Sequence, residues 1–257
     1  MAMTLRSVYN KFIRPFLKTS ISRQRVKLFW FGWYYSKIFL LPNLTLSQKA
    51  YLLKACLRTD WYVPHQHRAS EMVDIFSGLS KRPAQPGEIM VEAGCFNGGS
   101  TIKFSVICHM LGYKLRVYDS FEGVEKMSED EINETGFNYS GMFAVAEERV
   151  RGNVRKYGKV DICSFHKGWF SDTLAIQPLQ YPVKVVFIDC DVATGTLDVL
   201  KGVVNALTKD AIIFSQDYTI PAVNHLIHNP DTWEKLNVPP PTTIMPTHNM
   251  TAYLTWN

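Results

Sequence analysis

The stretch that most limits what this chain can become is Glu88-Ile-Met-Val-Glu-Ala-Gly-Cys-Phe-Asn-Gly-Gly-Ser100, followed by the apolar run Thr101 to Leu111. Ile89 to Val91 are apolar, Glu92 is an acid, Gly94 and the pair Gly98-Gly99 follow, and a helical pattern opens at Ser100 or Thr101. That order predicts a strand, a tight turn and a helix. Glycine lets the turn take positive φ and come close to a ligand, while the first turn of the helix offers free N–H groups to an anion. Such a turn is a cofactor cradle at the carboxyl edge of an open α/β sheet. The spacing is Glu-x-Gly-x-x-x-Gly-Gly-Ser, not Gly-x-Gly-x-x-Gly, and no Lys-Ser/Thr of a phosphate-binding loop follows. An acid inside the turn repels a pyrophosphate and favours a ligand that carries an ammonium group. S-adenosylmethionine has that chemistry, with an amino acid group at one end and two ribose hydroxyls at the other.

The rest of the chain supplies the sheet. Leu115 to Tyr118 predicts a second strand that stops at Asp119, the place where a doubly wound fold hydrogen-bonds ribose hydroxyls. Val160 to Phe165 predicts a third, leading to Gly168, Trp169 and Phe170, which suit a flat adenine ring; for the two aromatics, plain core packing fits equally. Val183 to Ile188 is the cleanest buried strand and delivers Asp189-Cys-Asp191, and Ala211 to Ser215 delivers Gln216-Asp217-Tyr218. Charges just beyond an apolar run are costly unless they are paired, bound to metal or at work. Acids and an amide at the ends of two neighbouring strands are the layout for a hard cation such as magnesium; the alternative is solvated acids capping the next helix. Thr242 to Met245 and Met250 to Trp256 suit an antiparallel terminal pair.

Between the strands, helices are expected from the Thr45 cap to about Leu57 with Ala50, Leu53 and Leu57 on one face, from 70 to 79, over 143–154, and from 193 to 207. Met127 to Met142 is polar and acidic and reads as a loop or lid. The expected class is α/β, a doubly wound Rossmann-like sheet of seven strands with the last antiparallel. A helical arm over 1–60 precedes the main domain over 61–257.

Composition bears chiefly on that arm. The net charge of +5 is mild, and Arg6, Lys11, Arg14, Lys18, Arg23, Arg25 and Lys27 face no acid in the first 30 residues. This is a basic arm and not a nucleic-acid groove. Val26 to Leu41 is the most aromatic stretch, but it is interrupted by Lys37 and too short for a bilayer span. It also starts too late for a signal peptide. Two readings fit: a helix packed on the domain or on a second copy in a homo-oligomer, or an interfacial helix whose basic arm meets anionic lipid. Five cysteines without a Cys-x-x-Cys pair read as free thiols in a reducing, cytoplasmic setting, with no zinc site. His65 and His67, in a loop, could be metal ligands, substrate contacts or neither.

Val91-Glu-Ala-Gly-x-x-x-Gly-Gly-Ser100, Asp119-Ser-Phe-Glu-Gly123, Gly168-Trp-Phe-Ser-Asp-Thr-Leu174, Asp189-x-Asp191 and Gln216-Asp-Tyr218 together resemble the motifs of the macrocin, mycinamicin and novobiocin O-methyltransferases, in the same order. The resemblance covers roughly residues 60 to 220. It implies a class I S-adenosylmethionine-dependent enzyme, metal-dependent, that methylates sugar hydroxyls on natural products. It further implies that Glu92, Gly94, Asn97, Gly98 and Ser100 serve the methionine end of the cofactor. Asp119, Ser120 and Phe121 would serve its ribose, and Gly168, Trp169 and Phe170 its adenine. Asp189, Gln216 and Asp217 would hold magnesium, with Asp189 or Asp191 as the base. The departure is Gln216, where the family tends to carry a second acid. Its amide oxygen can still ligate, but one negative charge is lost. Two other classes compete: a dinucleotide oxidoreductase, disfavoured by the glycine spacing and Glu92, and a non-catalytic cofactor-binding scaffold or membrane-associated subunit.

Overall fold

The computed structural model describes residues 33–248 and 250–256. The basic arm and the first part of the aromatic stretch over 26–41 lie outside the described residues. Within that stretch Ser36–Leu40 forms a short 3-10 helix.

Seven strands form one sheet: β1 (Ile89–Ala93), β2 (Lys114–Asp119), β3 (Cys163–Lys167), β4 (Val183–Ile188), β5 (Leu207–Ser215), β6 (Thr243–Pro246) and β7 (Ala252–Thr255). Their order is β3-β2-β1-β4-β5-β7-β6. The first five run parallel, and β7 alone runs against its neighbours β5 and β6. The chain fills one half of the sheet outward from β1 and then crosses to β4, so β1 and β4 flank the switch point where open α/β sheets bind ligands.

Alternation along the strands assigns the two faces. Met90, Val185, Phe187, Ile212 and Phe214 belong to one apolar cluster, with α1 (Leu46–Tyr62), α2 (Ala69–Ser80) and α3 (Gly99–Leu111). Ile89, Val91, Val186, Ile188 and Ile213 belong to the other. After α4 (Glu129–Thr135) and α5 (Glu147–Tyr157), that second face is covered by α6 (Ala193–Val203), α7 (Pro221–His228) and Trp233 of α8 (Pro230–Lys235). Each fully buried side chain of this size stabilises the fold by about 1.5–3 kcal/mol. Tyr35, Ile38 and Leu52 lie in the same cluster as the sheet.

Several element edges move from their sequence expectation. Thr45 caps α1 as expected, accepting from the Gln48 N–H, but the buried face carries Leu52, Ala55, Cys56 and Thr59, while Ala50 is exposed. The third strand begins at Cys163, after a 3-10 turn over Val160–Ile162. The lid segment holds the short helix α4, capped by the Ser128 hydroxyl. Helix α3 is buried almost all round, which suits an element sandwiched between α1 and the sheet. Its one buried cation, Lys103, faces Asp60 of α1 at 2.6 Å.

Candidate active site

Hydrogen bonds between the strand ends fix the carboxyl edge of the sheet. The Gly94 N–H donates to the Tyr118 carbonyl, Asp189 N–H to the Ala93 carbonyl, and Gln216 N–H to the Ile188 carbonyl, at 2.8–2.9 Å. Gly94 has φ +87°, and a β-carbon there would lie 1.8 Å from the Asp189 carbonyl oxygen. Glycine is therefore what lets the ends of β1 and β4 touch.

Above this edge lies a cavity of about 300 Å³, bordered by Gly94, Asp119, Ser120, Gly168, Trp169, Phe170, Asp189, Asp191, Gln216 and Asp217 among others. These residues follow β1, β2, β3, β4 and β5 and were expected together. Asp119 is held by two backbone donors, Cys95 N–H to Oδ2 and Phe121 N–H to Oδ1, both at 2.7 Å. Ser120 donates to the Gly123 carbonyl and so tightens the turn beneath the cavity.

Glu92, Asn97, Gly98, Ser100 and Phe121 do not border the cavity. Glu92 is fully buried, and neither of its oxygens has a hydrogen-bond partner. Burial pushes its carboxyl up to about 8. The acid read from the sequence as facing a ligand ammonium thus lies beneath the turn.

The acids at the far side of the cavity are held in a definite way. Asp189 Oδ2 pairs with His67 Nε2 at 2.9 Å. Asp217 Oδ2 accepts the N–H groups of Cys190 at 2.9 Å and Asp191 at 2.7 Å. That second bond helps hold Asp191 at φ 61°, a left-handed conformation that costs a non-glycine residue on the order of 1–3 kcal/mol. Between the acids stands Gln216. Assigned by its hydrogen-bonding network, the amide turns its nitrogen inward, the orientation in which it donates to Asp189 Oδ1 at 3.1 Å and to Asp217 Oδ1 at 2.5 Å. Burial, and then the Asp189 charge, raise Asp191 to about 7. Burial with the Asp189 and Asp191 charges lifts Asp217 well above the ordinary carboxylate range. For His67, burial lowers the pKa but the Asp189 carboxylate outweighs it, leaving the imidazole above its usual value.

The loop before α2 supplies parts that the sequence did not single out clearly. Besides His67 it brings His65, whose Nε2 lies 2.7 Å from Asp60 Oδ1 and 3.4 Å from Lys103 Nζ. A β-carbon on Gly99 would meet the His65 Cβ at 2.5 Å, so the glycine pair also makes room for this loop. The His-x-His spacing was the only sequence signal, and Asp189 stands 122 residues from its partner His67. From the lid, Tyr139 borders the cavity, and so do Val124, Glu125 and Phe143 on its flanks. Glu131 of α4 caps α6 by accepting from the N–H groups of Ala193 at 2.5 Å and Thr194 at 3.3 Å.

A model of the macrocin-O-methyltransferase (TylF) family matches residues 67–242, a span that includes every acid of the site. The chain belongs to this family. A relative from Streptomyces olivaceus, 8-demethyl-8-(2,3-dimethoxy-alpha-L-rhamnosyl)-tetracenomycin-C 4'-O-methyltransferase, is 32% identical over 152 residues, covering 56% of this chain and 58% of the relative. Demethyldecarbamoylnovobiocin O-methyltransferase from Streptomyces niveus is 30% identical over 141 residues, covering 52% and 53%. The chain therefore spans a little over half the length of the curated relatives it matches. Among solved structures, the O-methyltransferase NovP superposes with a TM-score of 0.56 at 24% identity, covering 66% of this chain and 72% of that one. CalS11, calicheamicin methyltransferase, superposes at 0.57 with 17% identity, covering 83% and 94%. Both are likenesses of fold, the class I methyltransferase fold expected from the strand pattern.

Within that family pattern the magnesium expected of Asp189, Gln216 and Asp217 is not supported by the donor set. The three side chains do converge, but as two acceptors around an amide donor. Among the described residues no group of three or more His, Cys, Asp or Glu side chains is arranged to hold a metal ion.

Proposed function

We propose that this chain transfers a methyl group from S-adenosylmethionine to a hydroxyl of a sugar, carried on a small glycosylated metabolite or a glycan. The observation that supports it best is the single cavity bordered by the Gly94 turn, Asp119, the Gly168 to Phe170 segment and the Asp189 to Asp191 pair. The family, and the rhamnosyl group in the name of the Streptomyces olivaceus relative, support the same chemistry.

Gly94 and the α3 N-terminus serve the methionine end of the cofactor, Asp119 and Ser120 its ribose, and Gly168, Trp169 and Phe170 its adenine. Glu92, Asn97, Gly98, Ser100 and Phe121 act from behind, by shaping the turns. The acceptor oxygen attacks the methyl carbon in line with the departing sulfur; the carbon–oxygen bond forms as the carbon–sulfur bond breaks, and the thioether S-adenosylhomocysteine leaves. Holding both reactants in that line supplies up to about 7–11 kcal/mol of the barrier reduction. The hydroxyl proton passes to the Asp189 or the Asp191 carboxylate. The shift of Asp191 to about 7 suits a base working near neutrality. No step is routed through magnesium.

Calorimetry with S-adenosylmethionine, followed by mass analysis of a panel of glycosides, tests this reading. Products heavier by one methyl group are expected. Absence of cofactor binding, or full transfer by both Asp189→Ala and Asp191→Ala, would overturn it.

Contact of residues 26–41 with an anionic membrane surface is a separate proposal, supported by the exposure of Trp33, Phe39 and Leu40 beside the basic arm. No described helix is long and apolar enough to cross a membrane. Sedimentation with anionic vesicles is expected to carry the full chain down and to leave the triple variant Trp33→Ser, Phe39→Ser, Leu40→Ser in solution; equal sedimentation of both would sink the idea. The free thiols support a reducing, cytoplasmic setting for either case.

A further inference from the structure

The acid cluster has a feature that general-base chemistry does not require: Gln216 apart, each of its two inner carboxylates is held by its outer oxygen alone. His67 takes Asp189 Oδ2, and the Cys190 and Asp191 N–H groups take Asp217 Oδ2. Both Oδ1 atoms are thereby turned toward one point. In a site for a hard cation that point belongs to the metal, with oxygens about 2.0–2.6 Å away. Here it is reached by the Gln216 amide, and the orientation assigned by hydrogen bonding puts the nitrogen 3.1 Å from Asp189 Oδ1 and 2.5 Å from Asp217 Oδ1. A primary amide has two N–H donors, so one Gln216 can serve two carboxylates at once. Turned the other way, its oxygen would press on both carboxylate oxygens and satisfy neither.

We propose that the Gln216 amide stands where a bridging cation would otherwise sit, so that this chain's acid cluster operates without a bound metal, and that Gln216→Asp converts it into a divalent-cation site. The inference concerns the same cavity as the proposed methyl transfer and rests on that reading for its purpose. Its physical content is independent of it. To bind a cation, Gln216 would have to turn its amide and give up two hydrogen bonds to charged acceptors, each of a kind worth about 1.5–3 kcal/mol. An aspartate at 216 removes those donors, adds a charge and is one methylene shorter, which opens space between Asp189 and Asp217. Three carboxylates then face one point, and two of them, Asp189 and Asp217, have their outer oxygens already oriented, as the partners of metal ligands orient them. Gln216 is thus a positioning residue whose identity decides whether the site takes a metal.

The test reads metal binding and not turnover. Manganese(II) is titrated into the full chain, with S-adenosylhomocysteine present, and free ion is followed by electron paramagnetic resonance; magnesium is then added as competitor. The unsubstituted chain is expected to take up no stoichiometric manganese. Gln216→Asp is expected to take up one ion, displaced by magnesium, with affinity tighter by on the order of tenfold or more. Gln216→Glu, which keeps the side-chain length, is the second variant, and S-adenosylhomocysteine binding by calorimetry reports that each variant is folded. One equivalent of manganese on the unsubstituted chain, lost in Asp217→Asn, would overturn the proposal. So would folded variants that gain no site. If neither variant folds, the unsubstituted chain decides alone. Failure of S-adenosylhomocysteine to bind any form would count against the methyltransferase reading and leave the metal result to be read by itself.

Discussion

Two buried ionic clusters meet the same loop, residues 63–68, and they are built in opposite ways. At Asp60 a single carboxylate faces Lys103 at 2.6 Å and His65 at 2.7 Å. Burial raises its pKa, but Lys103 and His65 outweigh burial and hold Asp60 at about 2. At Asp189 three carboxylates share an imidazole, an amide and two backbone donors, and there burial and like charges raise Asp191 and Asp217. A balanced cluster depresses its acid and stabilises the fold, whereas an over-supplied one raises its acids, Asp191 to about 7, where it can exchange a proton. One loop joins them, with His65 in the first cluster and His67 in the second.

The contrast is open to direct attack. The largest effect is expected from Asp189→Ala, which should lower methyl transfer by about 10²–10⁴-fold while S-adenosylmethionine still binds by calorimetry. If the second cluster were structural, this variant would lose stability and keep its specific activity. The reverse is expected at Asp60. Asp60→Ala leaves the Lys103 ammonium buried without its counter-charge and should cost about 3–5 kcal/mol in urea unfolding. Cofactor affinity in the folded fraction should change little.

His67→Ala comes next. It frees Asp189 Oδ2 and should reduce kcat by up to about a hundredfold through misplacement of the carboxylate, with KM for the cofactor little changed. A purely structural histidine would instead show its effect in the melting temperature alone.

The smallest and most selective test uses pH. The folded pKa of Asp60, about 2, lies below its unfolded value near 3.9, so its contribution is fully present above roughly pH 4 and fades as pH falls toward 2. The stability difference between the unsubstituted chain and Asp60→Asn, followed by urea unfolding across that window, should shrink on acidification. A difference that stays constant would remove Asp60 ionisation from the account.

The sequence revealed these clusters unequally. The carboxyl edge was legible because each apolar strand ends in an acid or amide, and an apolar run that stops at a polar group marks a strand's end and a site at once. Asp119, Asp189 and Asp217 were found in this way. The Asp60 to Lys103 pair was not, because Lys103 sits in an apolar helix pattern and its partner lies on another helix. The face of α1 was misread as well. Of the expected stripe, Leu53 and Leu57 pack half-buried at the edge of the core and Ala50 is exposed, while the centre of the buried face is set one position over, at Leu52, Cys56 and Thr59, with Asp60 beside it facing Lys103. His67 was under-weighted because a His-x-His in a loop says nothing about a partner 122 residues away. Gln216 was recognised as a departure, but whether its oxygen or its nitrogen faces the acids depends on side-chain orientation, which no sequence pattern records.

Lys103 also has a consequence for how far the chain can be trimmed. The helix that opens the cofactor turn keeps an ammonium group in the dry interior, and the only carboxylate paired with it among the described residues comes from α1, well before the first strand. A shorter chain starting at residue 64 would therefore expose not just an apolar face but an uncompensated charge. The two segments form a matched set, held together by one charge pair.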